Sequence, residues 1–337
     1  MPQFSPPAAA SLAALTDVDV DGGVGLVNLA GLAYDGQAEL WRPRSYFGGL
    51  EGNLISGGVE EIASLFPDGQ RSAGVPHVGL DGDRLWRIGG ASSTGSLAAP
   101  RISYYDLNTG TFTDGLTNSP ASGDFPGAVV GGIPYVTRSG TPYNLYRYRV
   151  GTNSWDDLGL RPNRYGIDYC QLASFGGRVV VMNRDSLHAY SPASATWAQL
   201  PTPSGLADQY SPTMLDAGGF LYLIGGQDGN DGNTKVDRVA RFNPATGAWE
   251  ERAPLPTPLG EVACVYHQGI LYALGGVATG GAASDGGYAY FPESNAWIEL
   301  TDLVLPAATS GGSIGSYGDA IVWNPGDNVG RQFWIIR

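Results

Sequence analysis

Residues 220–249 read FLYLIGGQDGNDGNTKVDRVARFNPATGAW. An apolar run, Phe220 to Ile224, ends at Gly225-Gly226, and a polar connection leads to a second apolar run ending at Phe242. Asn-Pro-Ala-Thr-Gly then returns the chain to Trp249. Pro presets φ in such a turn and Gly accepts positive φ, so two strands reverse tightly here. The same order recurs in 270–297, ILYALGGVATGGAASDGGYAYFPESNAW. Further out, the apolar strand returns as RLWRIGG (84–90), IPYVTRSG (133–140), RVVVMN (178–183) and AIVWNPG (320–326). With Gly90, Gly140, Asn183, Gly226, Gly276 and Asn324 as markers, the steps are 50, 43, 43, 50 and 48. An aromatic, a polar turn and another aromatic follow each of the first five copies: YYDLNTGTF (104–112), YRVGTNSW (148–155), YSPASATW (190–197), FNPATGAW (242–249) and FPESNAW (291–297).

Each unit holds three or four short strands with β-branched and aromatic alternation between Gly, Pro, Asn and Asp turns. The Gly pair is expected to end an inner strand where backbones crowd. The last-strand Trp or Phe offers a large apolar plate to the neighbouring sheet. One such sheet cannot bury both faces, so the units must stack, and closing them into a ring leaves few exposed edges. A period near 47 fits propeller blades, which run roughly 40–50 residues. The predicted fold is therefore all-β, a β-propeller over residues 46–337. Five full units span 74–301, and 309–337 has room for three more strands ending in RQFWIIR. The missing outer strand is assigned to EEIASLFPDG (60–69), which gives six blades closed by strands from both ends of the chain. The alternative is seven, with 46–73 as a small blade of its own.

Composition agrees. The 337 residues include 51 Gly and 23 Pro, with 42% hydrophobic and 11% aromatic residues. That excludes disorder, which lacks the apolar area to offset ordering entropy. No G-X-Y period suggests collagen, and interior Gly at about 1 kcal/mol each disfavours long helices. The net charge is −13, and Lys235 is the one lysine. An acidic surface argues against nucleic acid, whose phosphates need clustered Lys and Arg. The Ala-rich start MPQFSPPAAASLAAL has no basic n-region, so no signal peptide is expected. No apolar run approaches the roughly 20 residues of a membrane span.

The Gly pairs 89–90, 225–226 and 275–276, with Trp155, Trp197, Trp249 and Trp297, resemble the kelch-type β-propeller family, including its galactose-oxidase-like branch. The second and third units lack the Gly pair, and the first carries Phe112 in place of Trp. Residues 1–45 break the blade rhythm. They read L-x-x-L-x-D-V-D at Leu12, Leu15, Asp17, Val18 and Asp19, then L-x-Y-D at Leu32, Tyr34 and Asp35, then Trp41, Pro43 and Arg44. This stretch is similar to a segment of tailed-bacteriophage tail and fibre proteins. The resemblance implies a short β unit that joins or oligomerises, hence virion proteins and further copies of the chain as partners, and a virion location. The alternative is an arm that packs on the propeller.

Candidate chemistry is sparse. Asp17, Asp19, Asp21 and Gly22 spell the opening of a calcium loop, but its twelfth position, where a bidentate Glu is wanted, is Asn28. No cofactor is expected, with calcium as the alternative. His77, His188 and His267 fall in different units without metal-ligand spacing. Copper chemistry of the galactose-oxidase kind would need Tyr, His and a crosslinked Cys; Tyr169 and Cys170 are adjacent, which puts them on opposite strand faces. Cys170 and Cys264 fall in non-neighbouring units and are expected as buried free thiols. No S-x-D-x-G-x-x-W box, G-x-S-x-G or P-loop occurs. The connections 91–101, 227–235 and 277–285 leave equivalent strands and belong on one face of a propeller. Tyr143, Asn144, Tyr165 and Tyr210, with Asp228, Asn230 and Asp231, are the candidates for glycan or partner contact. The functional expectation is a non-enzymatic virion component, with a carbohydrate-binding propeller as alternative and a polysaccharide-acting enzyme third.

Overall fold

The computed structural model describes residues 18–19, 26–27, 32–35, 40–43, 55, 58–64, 80–81, 84–88, 102–113, 116, 120, 127–137, 143–162, 170–183, 186–205, 209–210, 212–228, 233–306, 308, 312–324 and 332–337. They form six four-stranded antiparallel sheets. The first blade is Leu80–Asp81, Arg84–Ile88, Ile102–Asp106 and Thr111–Thr113. The second is Gly127–Val130, Ile133–Thr137, Asn144–Arg149 and Ser154–Leu160. The third is Gln171–Phe175, Arg178–Asn183, Ser186–Ser191 and Thr196–Leu200. The fourth is Thr213–Ala217, Phe220–Ile224, Val239–Asn243 and Ala248–Glu251. The fifth is Ala263–His267, Ile270–Leu274, Gly287–Phe291 and Ala296–Glu299. The sixth is Ser313–Tyr317, Ala320–Asn324, Gln332–Ile336 and, as its outermost strand, Val59–Ser64.

The first strands of successive blades touch in order around the ring, and the sixth meets the first. Six blades are therefore present, and the closing strand is the one assigned from sequence. It pairs with Gln332–Ile336, with a register irregularity between Phe333 and Trp334. The recurrent apolar strand is second of four, an inner strand as expected, and the strand that lines the axis precedes it.

The second strands explain the stacking. Leu221, Tyr222, Leu223 and Ile224 are all fully buried. Successive side chains of a strand point to opposite faces. Leu221 and Leu223 join Val180, Met182 and Leu187 of the third blade. Tyr222 and Ile224 join Leu271, Ala273 and Tyr290 of the fifth. Both faces are covered, so the run reads as continuous apolar sequence instead of alternating.

The outer-strand aromatics act as plates, as expected. Trp155, Trp197, Trp249 and Trp297 lie opposite Tyr148, Tyr190, Phe242 and Tyr290 in register, with ring centroids 4.8–5.4 Å apart. Two reach back to the preceding blade: Trp249 Nε1 donates to Pro201 O at 2.7 Å and Trp297 Nε1 to Ala253 O at 2.9 Å.

Two kinds of turn join the strands at one end, here the lower face. Two-residue turns join first to second strands; in the fourth blade these are Gly218 and Gly219, at φ 62° and 82°. This handedness follows the twist of the paired strands. Four-residue turns join third to fourth strands and place their last residue at positive φ: Gly110, Asn153, Ala195, Gly247 and Asn295. Ala195, at φ 54°, carries the Cβ penalty that Gly avoids.

Two stability outcomes follow, both measurable by urea denaturation. Leu223→Ala removes a side chain shared by two blades and is expected to cost about 2–5 kcal/mol. Ala195→Gly relieves the left-handed strain, offset in part by chain entropy, and is expected to stabilise by about 0.5–1 kcal/mol.

Candidate functional site

The opposite, upper face carries the connections from second to third strands and those from each blade to the next. Over the fourth and fifth blades they are knitted by backbone pairing. Gln209–Tyr210 pairs with Gln227–Asp228, Tyr210 opposite Gln227. Single bridges join Gln227 to Lys235, Gly260 to Val277, and Val277 to Ala283. Gly226 N–H donates to Leu259 O at 2.9 Å, and Gly260 and Val277 exchange bonds of 2.9 and 2.8 Å. The Gly pair is needed because the interblade connection crosses the strand end. A Cβ on Gly225, at φ +61°, would lie 2.2 Å from Leu259 O. These bonds join the described loop residues of the fourth and fifth blades into one platform.

Polar side chains complete it. Lys235 N–H donates to Thr279 Oγ1 of the next blade's loop at 2.9 Å, and Lys235 Nζ donates to Gln227 Oε1 at 2.8 Å. The lysine stem runs across Gly260, where a Cβ would meet Lys235 Cδ at 2.9 Å. Toward the rim, Arg238 pairs with Glu251 at 2.5 Å.

The structure sorts the sequence candidates. Tyr210 and Asp228 are brought into the same ribbon, and Asp228 N–H donates to Thr234 O at 2.7 Å. Tyr143 is half-buried on the upper face, its ring under the fully buried Arg161 guanidinium at 5.2 Å. Asn144, expected in a contact loop, is instead a buried strand residue whose Nδ2 holds both Asp157 carboxylate oxygens at 2.8 Å. Tyr165, Asn230 and Asp231 lie outside the described residues, as do Leu15, Asp17 and Asp21. In the N-terminal segment Val18 and Asp19 pair with Val27 and Leu26, and Tyr34 and Asp35 pair with Trp41 and Leu40. Lys235, Gln227 and Thr279 were not among the sequence candidates; the lone lysine in an acidic chain was their signal.

Cys170 and Cys264 are buried free thiols. Burial pushes Cys170 up to about 11 and Cys264 higher still, so neither is a ready nucleophile. His267 is buried between the first strands of the fifth and sixth blades, with Nδ1 2.8 Å from Ser316 Oγ. Among the described residues no group of three His, Cys, Asp or Glu is placed to hold a metal. No helix among them is long and apolar enough to cross a membrane.

The face opposite the platform is where the N-terminal segment arrives. Val59 pairs with Ile336 at the lower end of the sixth blade, and Arg337 N–H donates to Gly58 O at 3.1 Å. Just upstream, Ile55 is buried in the seam between the fifth and sixth blades, where its backbone bonds the Tyr272 hydroxyl.

A model of the kelch motif matches residues 218–256, the fourth blade and its exit. Kelch-like protein 35 of Mus musculus is 31% identical over 142 residues, covering 42% of this chain and 23% of that protein. Kelch-like ECH-associated protein 1A of Danio rerio is 30% identical over 107 residues, covering 32% and 18%. The matched stretch thus spans less than a quarter of these curated relatives. The solved structure of YjhT superposes with a TM-score of 0.65 over 82% of this chain and 95% of that one, at 14% identity, a likeness of fold alone. The chain is a six-bladed β-propeller that carries a kelch motif.

His267 predicts a pH dependence. Burial lowers its pKa below the ordinary 6.5, so the folded imidazole stays neutral while the unfolded one protonates. The unfolded chain then binds more protons, and stability present above pH 6.5 falls as pH drops from there toward the folded pKa. His267→Asn, which does not titrate, is expected to flatten the urea midpoint as pH drops below about 6.5.

Proposed function

We propose that this propeller is a non-enzymatic interaction scaffold, tethered from its lower face and presenting the upper platform of the fourth and fifth blades to a protein partner. The observation that carries this reading is the opposition of the two faces. The segment entering at Gly58 joins the lower end of the sixth blade, while the backbone-knit loops lie at the upper end. A platform cross-linked before binding loses little loop entropy when a partner docks. The kelch-named relatives fit such a role, and the name of the Danio rerio protein records an association with ECH.

The tether gives the setting. Residues 1–45, with Leu15, Asp17, Val18, Asp19, Tyr34, Asp35 and Trp41, resemble the joining segment of tailed-phage tail and fibre proteins. On that basis the chain is a virion component that attaches, and assembles with further copies, through its N-terminal segment. The ring then displays its platform outward, toward host-surface attachment. A second reading, glycan recognition, draws on the backbone pairing of Tyr210 with Gln227, which brings an aromatic position and an amide position to one ribbon of the upper face.

Mass spectrometry and electron microscopy of purified phage particles are expected to find the chain at a fixed copy number, and a chain lacking residues 1–45 is expected to be absent from them. Recovery only as free protein in the lysate would overturn the virion role. For the second reading, glycan-array binding that falls on Tyr210→Ala is the expected result; an array without signal removes it.

A further inference from the structure

Three side chains on the platform share a chemical bias. Lys235 Nζ donates to Gln227 Oε1 at 2.8 Å, which uses the acceptor of that amide and leaves its Nε2 hydrogens. Lys235 N–H donates to Thr279 Oγ1 at 2.9 Å, which leaves the hydroxyl proton. The internal bonds thus consume acceptors and leave donors: two ammonium hydrogens, an amide NH2 and a hydroxyl. Among the described residues no carboxylate lies within 4.0 Å of Lys235 Nζ, although the chain has a net charge of −13.

The site is also built. The Gln227–Lys235 bridge and the Thr279 bond fix the lysine backbone from two blades. The glycine at 260 gives passage to the stem, since a Cβ there would meet Lys235 Cδ at 2.9 Å and Cε at 3.3 Å. Asp228 follows Gln227 in the ribbon, and strand alternation turns its side chain to the other face. A positioned ammonium flanked by neutral donors matches a carboxylate, which accepts several hydrogen bonds and carries the opposite charge.

We infer that Lys235, Gln227 and Thr279 form a carboxylate-binding site that receives an acidic side chain of the partner docking on the upper platform. The inference rests on the scaffold reading and adds to it the chemistry of the contact. Because Lys235 is the chain's one lysine, biosynthetic incorporation of 13C-labelled lysine yields a single lysine Cε resonance and leaves all three ammonium hydrogens in place.

Titration with a Glu-rich hexapeptide at physiological salt is expected to shift that resonance saturably, while the matched Gln-rich peptide leaves it in place. Gln227→Glu supplies an internal carboxylate and is expected to weaken the peptide response about tenfold, and Thr279→Val about threefold, with the urea midpoint near that of the parent. A resonance that does not move, or moves equally with both peptides, overturns the site. A larger shift with oligogalacturonate than with the Glu peptide also overturns it, in favour of an acidic glycan. Crosslinking mass spectrometry of the full chain in particles or lysate tests the scaffold reading separately. Partners captured on the upper face while the lysine resonance stays silent would sink this site and leave the scaffold standing.

Discussion

The second strand of the fourth blade, Phe220–Ile224, is apolar on both faces, and its own blade cannot bury it alone. Leu221 and Leu223 look one way and Tyr222 and Ile224 the other, each pair into a different neighbour. At roughly 1.5–3 kcal/mol for each large side chain removed from water, leaving one such face open would cost several kcal/mol. Only a closed ring supplies a neighbour to every face. The six-fold circuit is therefore a requirement of the core, and the strand borrowed from residues 59–64 completes it.

The upper platform arises from the same crowding. The connection from the fourth to the fifth blade passes over the ends of two second strands; its backbone leaves no room for a side chain at Gly225 and little at Gly276. That close approach lets Leu259 and Gly260 bond the strand ends and then the neighbouring loops. The loops that could contact a partner are thus fastened by the features that pack the blades. The lower face, made of two- and four-residue turns, offers little beyond turn geometry.

Much of this was legible in the chain. The repeat, the Trp plates and the closing strand follow from local patterns, because turn chemistry and apolar runs are short-range signals. The first strands are harder to read, because Gln171–Phe175 and Thr213–Ala217 mix polar and apolar residues. The candidate site was less readable. Asn144 is a contact candidate by residue type alone, yet its amide is spent on Asp157, 13 residues away. The Tyr210–Gln227 ribbon and the Lys235–Thr279 bond join loops of different connections, and only the ring brings them together.

The closing strand has one more property, a mechanical one. The entering chain and the fastener are the same piece, since the residues before Gly58 lead directly into Val59–Ser64. Past Ile55, tension on the N-terminal segment meets the bond between Arg337 and Gly58, and then the pairing of Val59 with Ile336. The five other blades, each built from consecutive chain, bear no load until that strand yields. Peeling would have to cross the irregular step opposite Phe333 and Trp334, where the ladder loses its regular spacing. Ile55, lodged upstream between the fifth and sixth blades, sits ahead of the whole zipper as its first restraint.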